Sequence, residues 1–91
     1  HFPDNPIVPG VILTEALAQT AGIAAASAGA SRRFLLSAIR SMKFPKAALP
    51  EKTILLEAKK VGEMGSLFQF ETKASIDGET VAEGTIILSE A

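Results

Sequence analysis

The chain has 91 residues, enough for one small domain, and its 47% hydrophobic and 21% charged content is that of a folded globular protein. It has no cysteine and one histidine, which excludes disulfides, thiolate catalysis, cysteine-ligated clusters and any multi-histidine metal site within one chain. A net charge of −1 argues against general nucleic-acid binding. The charge is unevenly spread: eight of the nine basic residues lie between Arg32 and Lys60, opposed there only by Glu51 and Glu57. That segment is either a set of solvated strand faces or a docking patch for an acidic partner.

The first ten residues, His1-Phe2-Pro3-Asp4-Asn5-Pro6-Ile7-Val8-Pro9-Gly10, form a proline-spaced segment in which each proline fixes its own φ. From Val11 to Gly29 the sequence is rich in alanine and leucine and predicts a helix of about 18–20 residues, roughly 30 Å long. Pro9 suits its first turn and Gly29 its C-terminal cap. The helix is apolar nearly all round and is expected at the centre of a globular core. A membrane span is disfavoured by Glu15 and Gln19, which would lie in hydrocarbon. Small residues such as Ala21, Gly22 and Ala25 allow a sheet to approach closely.

After Ser31 the pattern changes to alternation with β-branched residues. Strands are predicted over 34–44, 53–61, 68–76 and 80–88, with a loop at 45–50 and a turn at 63–66. In the third strand Phe68, Phe70, Thr72, Ala74 and Ile76 share one face. Asp77-Gly78 is a strong hairpin signal. The expected architecture is α+β: one buried helix followed by four antiparallel strands in a single domain, 1–91.

Glu15 is a lone carboxylate in an almost wholly apolar stretch, and burying an ionised carboxylate without a partner is costly. His1, the single imidazole, precedes it by fourteen positions. Such a pair offered to one pocket can do acid/base work near neutral pH, which points to an enzyme.

The pattern His1-Phe2-Pro3-x-x-Pro6-x-x-Pro9-Gly10-Val11-x-x-x-Glu15-Ala16-x-Ala18-Gln19 resembles the 3-hydroxyacyl-[acyl-carrier-protein] dehydratases of bacterial fatty acid synthesis. The likeness continues in Lys43-Phe44-Pro45-Lys46 and Leu49-Pro50, a basic–aromatic strand end and proline loop. The resemblance implies a hotdog fold, an antiparallel sheet wrapped around one long helix, assembled as a homodimer or trimer of dimers. It implies a hydro-lyase that removes water from (3R)-3-hydroxyacyl thioesters to give trans-2-enoyl thioesters, without metal or organic cofactor. His1 and Glu15 are then the catalytic pair, one from each subunit across the dimer interface. His1 takes the α proton, and Glu15, favoured as the neutral acid by its apolar setting, protonates or positions the leaving hydroxyl.

The same resemblance assigns the backbone N–H of Gly10 to the thioester carbonyl. Val11 and Phe2 are candidates for the substrate lining, Phe2 either lining the pocket or only packing, and Gln19 and Pro9 for support of the site. A free N–H at the start of a helix favours developing enolate charge on physical grounds as well. Arg40, Lys43 and Lys46 are the candidates for docking an acidic acyl carrier protein in a cytoplasmic pathway. The family carries one or two strands before the histidine motif that this sequence does not show, so upstream residues are expected in the native protein. A hotdog thioesterase using Glu15, a catalytically silent acyl-binding subunit and a dehydratase/isomerase remain as alternatives. Polyketide and other lipid pathways also remain open.

Overall fold

The computed structural model describes residues 7–27 and 33–90. One helix, α1 (Gly10–Ser27), precedes four strands: β1 (Phe34–Lys43), β2 (Leu55–Met64), β3 (Leu67–Ile76) and β4 (Glu79–Glu90). The Pro9 carbonyl opens α1 by accepting from the N–H groups of Ile12 at 3.0 Å and Leu13 at 3.2 Å. Proline stands where a helix has no use for its missing donor. The hydroxyls of Thr14 and Thr20 donate to the carbonyls of Gly10 and Ala16, each at 2.8 Å, so these half-buried polar groups are satisfied within the helix. The expected cap at Gly29 lies outside the described residues.

The strands form one antiparallel sheet in the order β1-β4-β3-β2. Asp77 and Gly78, with φ of 51° and 82°, make the predicted tight turn between β3 and β4. The β2–β3 hairpin is longer than the sequence pattern suggested. Glu63 and Met64 pair with Phe68 and Leu67 instead of turning, because each added pair satisfies further backbone groups until only Gly65-Ser66 remains to reverse the chain. β2 accordingly runs two to three residues further along the chain than the expected 53–61.

Phe68, Phe70, Thr72 and Ala74 of β3 turn one buried face towards α1, as their alternation predicts, and Leu88 and Ile86 stand opposite Phe68 and Phe70. Thr72 satisfies its hydroxyl by donating to the Gly84 carbonyl at 2.8 Å. From the helix, Leu13, Leu17, Ala21 and Ala25 complete the core. Each follows the last by four residues, so they form one stripe. Full burial of Leu17, Phe70 or Ile86 stabilises the fold by roughly 1.5–3 kcal/mol apiece.

The helix expected at the centre of the core is buried by these four strands along one side only. Val11 is 73% and Ile23 72% exposed, and Ile12, Glu15 and Gln19 also face outwards. Four strands cover one side of α1, and the stripe diametrically opposite Leu13 and Leu17 remains open. The sheet bends through register shifts in β1 at Leu36/Ala38 and Arg40/Lys43, in β2 at Lys60/Gly62, and between β3 and β4 at Ala74/Ser75. Such bulges increase local twist and bend the bulged strand. Among the described residues, no helix is long and apolar enough to cross a membrane.

The two helix stripes are distinguishable by mutation. Leu17→Ala should cost about 2–5 kcal/mol of unfolding free energy. Ile23→Ala, on the open stripe, should change the stability of the isolated chain by no more than about 0.5 kcal/mol. Denaturant titration at a concentration too low for self-association checks both.

Candidate active site

Glu15 reaches its position through helix geometry alone. It lies five residues after Gly10, about 7.5 Å along the axis, and shares the open stripe with Val11 and Gln19, one turn to either side. Its carboxylate is exposed and takes no hydrogen bond or ion pair among the described residues. The apolar stretch around Glu15 predicts a secluded carboxyl, with the resemblance placing a second subunit across from it. In a single subunit the apolar neighbours Val11 and Ile12 stand beside it, with Ile23 two turns further along the same side, all themselves exposed. Among the described residues nothing above them excludes water.

The start of α1 is better determined. The carbonyl of Pro9 is used twice, while the N–H groups of Gly10 and Val11 precede the first residue that can reach back to it. Among the described residues these two donors have no partner. The approach to the helix is held from the other side by the loop after β1, where the N–H of Val8 donates to the carbonyl of Ala48 at 2.6 Å. Ala48 is buried, so this hydrogen bond ties residues 7–9 to the core. Phe44 packs against Gly10: a Cβ there would lie 2.9 Å from the ring's Cζ and 3.0 and 3.2 Å from its two Cε atoms. Sequence reasoning marked Phe44 only as part of a basic–aromatic strand end, and it passed over Ala48.

His1 and Phe2, with Pro3 and Pro6, lie outside the described residues. The structure therefore brings together Pro9, Gly10, Val11, Glu15 and Gln19 on one helix. Pro9 and Gln19 are exposed, and Gly10 is half-buried beneath Phe44.

The three docking candidates separate. Arg40 and Lys43 are exposed on β1, and Lys46 follows in the loop, where its ammonium pairs with the carboxylate of Glu79. The basic character of the 32–60 segment is largely interleaved with acid once folded. Lys43 stands beside Glu83, Glu83 beside Lys73, and Lys73 beside Glu57, one alternating row across all four strands. The neighbouring row runs Arg40, Thr85, Glu71, Lys59. Opposite charges at directly paired positions of this kind favour the sheet by a few tenths of a kcal/mol to about 1 kcal/mol each.

A helix laid against a bulged antiparallel sheet in this strand order is the hotdog fold. A Bacillus halodurans protein crystallised with CoA superimposes with a TM-score of 0.82 at 22% identity, over 99% of this chain and 62% of that one. The family described as ApeI-like, ApeI dehydratase, matches residues 1–85, and the chain belongs to that family. It is 38% identical over 88 residues to the 3-hydroxyacyl-[acyl-carrier-protein] dehydratase FabZ of Streptococcus suis, covering 94% of this chain and 63% of that protein. With FabZ of Ruminiclostridium cellulolyticum the identity is 41% over 88 residues, covering 94% of this chain and 62% of the relative. The chain thus spans less than two thirds of the length of these curated relatives.

Because Glu15 makes no contact that the fold depends on, Glu15→Gln should leave stability within about 0.5 kcal/mol of the parent. A Tm shift of many degrees would mean that the carboxylate has a structural partner.

Proposed function

We propose that this chain is a hydro-lyase that dehydrates (3R)-3-hydroxyacyl thioesters on acyl carrier protein to trans-2-enoyl thioesters, in fatty acid or related lipid synthesis in the cytoplasm. The observation that carries the reading is the family match through residues 1–85, which includes both His1 and Glu15. Identity to two FabZ dehydratases over 94% of the chain supports it.

In this reading the thioester carbonyl accepts from the free N–H of Gly10, whose position at the positive end of α1 favours negative charge on that oxygen. His1 removes a proton from the α carbon. The C3–O bond then breaks with the hydroxyl protonated by Glu15, so that water leaves and the α,β double bond forms. The proton on His1 returns to Glu15 through solvent, which resets both groups. Each proton-transfer group is expected to contribute about 10²–10⁴-fold to the rate. Val11 and Phe2 line the acyl chain, and Gln19 supports the acid one turn away.

The exposed setting of Glu15 bears on assembly. A carboxylic acid serves as a proton donor most readily away from bulk water, and its own subunit leaves it uncovered. A second copy of this chain laid on the open stripe would cover Val11, Ile12 and Ile23 and bring its own His1 to this Glu15. The same dimer is the unit from which a trimer of dimers would form. An acidic carrier protein would approach Arg40, Lys43 and Lys46, with Lys46 exchanging Glu79 for a carrier carboxylate.

His1→Ala and Glu15→Gln should each lower enoyl-thioester formation by at least 100-fold with the fold intact, measured on a 3-hydroxyacyl thioester by absorbance of the conjugated product. Release of free acid by the parent protein would instead make it a thioesterase. Ile23→Lys should convert a dimer to a monomer in sedimentation experiments and remove activity with it. A fully active monomer would refute the shared site.

A further inference from the structure

Phe44 is nearly half exposed, yet the far end of its ring lies so close to Gly10 that a Cβ there, 2.9 Å from the ring's Cζ, would require the ring to shift. The cause lies four residues earlier. Arg40 pairs with Thr85 and Lys43 with Glu83, so three steps along β1 match two along β4 and one residue is extra. Thr85 and Glu83 lie on one face of β4, hence Arg40 and Lys43 share that outer face although they are an odd number of steps, three, apart. Phe44, the next residue, is thereby directed to the opposite side, where α1 lies. Without the extra residue, strand alternation would send position 44 outwards with Arg40.

Two features hold this bulge. Ser41 adopts φ of 54°, a left-handed conformation uncommon for serine. Across from it, Gly84 leaves room for the displaced strand, since a Cβ at Gly84 would lie 2.8 Å from the α-carbon of Met42. The segment leading into α1 is held separately, by the hydrogen bond from the Val8 N–H to the Ala48 carbonyl. Residues 44 and 48 thus grip the chain on both sides of Pro9.

We propose that Phe44 is a positioning residue: delivered by the Ser41 bulge, its ring sets the first turn of α1 relative to the sheet and so sets Gly10 and Glu15. The catalytic consequence rests on the dehydratase reading above, while the mechanical one does not.

A double-mutant cycle on the full protein tests it, with Gly10→Ala, Phe44→Ala and both together, and Phe44→Leu as a milder variant should Phe44→Ala fail to fold. Alanine is a better helix former than glycine, so Gly10→Ala should be neutral or stabilising wherever nothing occupies its space. In the parent background it should instead lower Tm, and in the Phe44→Ala background that sign should reverse. Phe44→Ala should speed amide exchange of residues 10–13 at least tenfold and leave β3 and β4 unchanged. On the thioester substrate, Phe44→Ala should lower kcat at least tenfold with KM altered less than threefold, and Phe44→Leu should recover part of the loss. The same sign for Gly10→Ala in both backgrounds, or unchanged exchange at residues 10–13, overturns the positioning role. A loss confined to KM overturns its catalytic consequence. A parent protein inactive on the thioester refutes the dehydratase reading alone, since the Tm and exchange measurements still decide whether Phe44 holds the helix.

Discussion

The structure depends on α1 choosing between two apolar stripes. Leu13, Leu17, Ala21 and Ala25 lie on the sheet, and the small side chains in the second half of that row let the backbone come close to the strands. The opposing row, Val11, Glu15, Gln19 and Ile23, carries comparable aliphatic bulk and in addition the two polar candidate site residues of the helix, Glu15 and Gln19. Burying the leucine–alanine row satisfies the hydrophobic requirement without enclosing an ionisable group, which would cost several kcal/mol if unpaired. The cost avoided in the core is what leaves Glu15 available at the surface.

The sheet supplies the complement. A flat four-stranded sheet would meet a cylinder along a narrow line, and the extra residues in β1, β2 and β4 bend and twist this one. The shift in β1 has a second effect, because an odd insertion inverts which residues face inwards beyond it. Lys43 joins the charged outer rows and Phe44 is turned onto Gly10. One extra residue therefore connects the solvent face of the sheet, the start of the helix and the donors exposed there.

Charge is organised by pairing across the strands. Residues far apart in the chain, such as Lys43, Glu83, Lys73 and Glu57, become neighbours on one row. The basic excess between Arg32 and Lys60 is diluted by acids from β3 and β4, and this dilution depends on register, which one residue of slip would undo.

Much of this was legible in the residues themselves. The helix, four strands, the Asp77-Gly78 turn and the inward row of β3 follow from local propensity and from a period of two, which depend only on near neighbours in the chain. The proline-spaced motif ending at Gly10, with Glu15 five residues on, marked the candidate site through its resemblance to the 3-hydroxyacyl-[acyl-carrier-protein] dehydratases. Three things were decided only by tertiary contact. Which stripe of α1 would be buried was hidden because apolar residues surround the helix almost evenly, so its hydrophobic pattern gives little direction. The extension of β2 through Met64 depended on partners in β3. The contact of Phe44 with Gly10 joins residues thirty-four apart through a bulge that no local pattern announces, because its physical cause is the room that Gly84 leaves on a neighbouring strand.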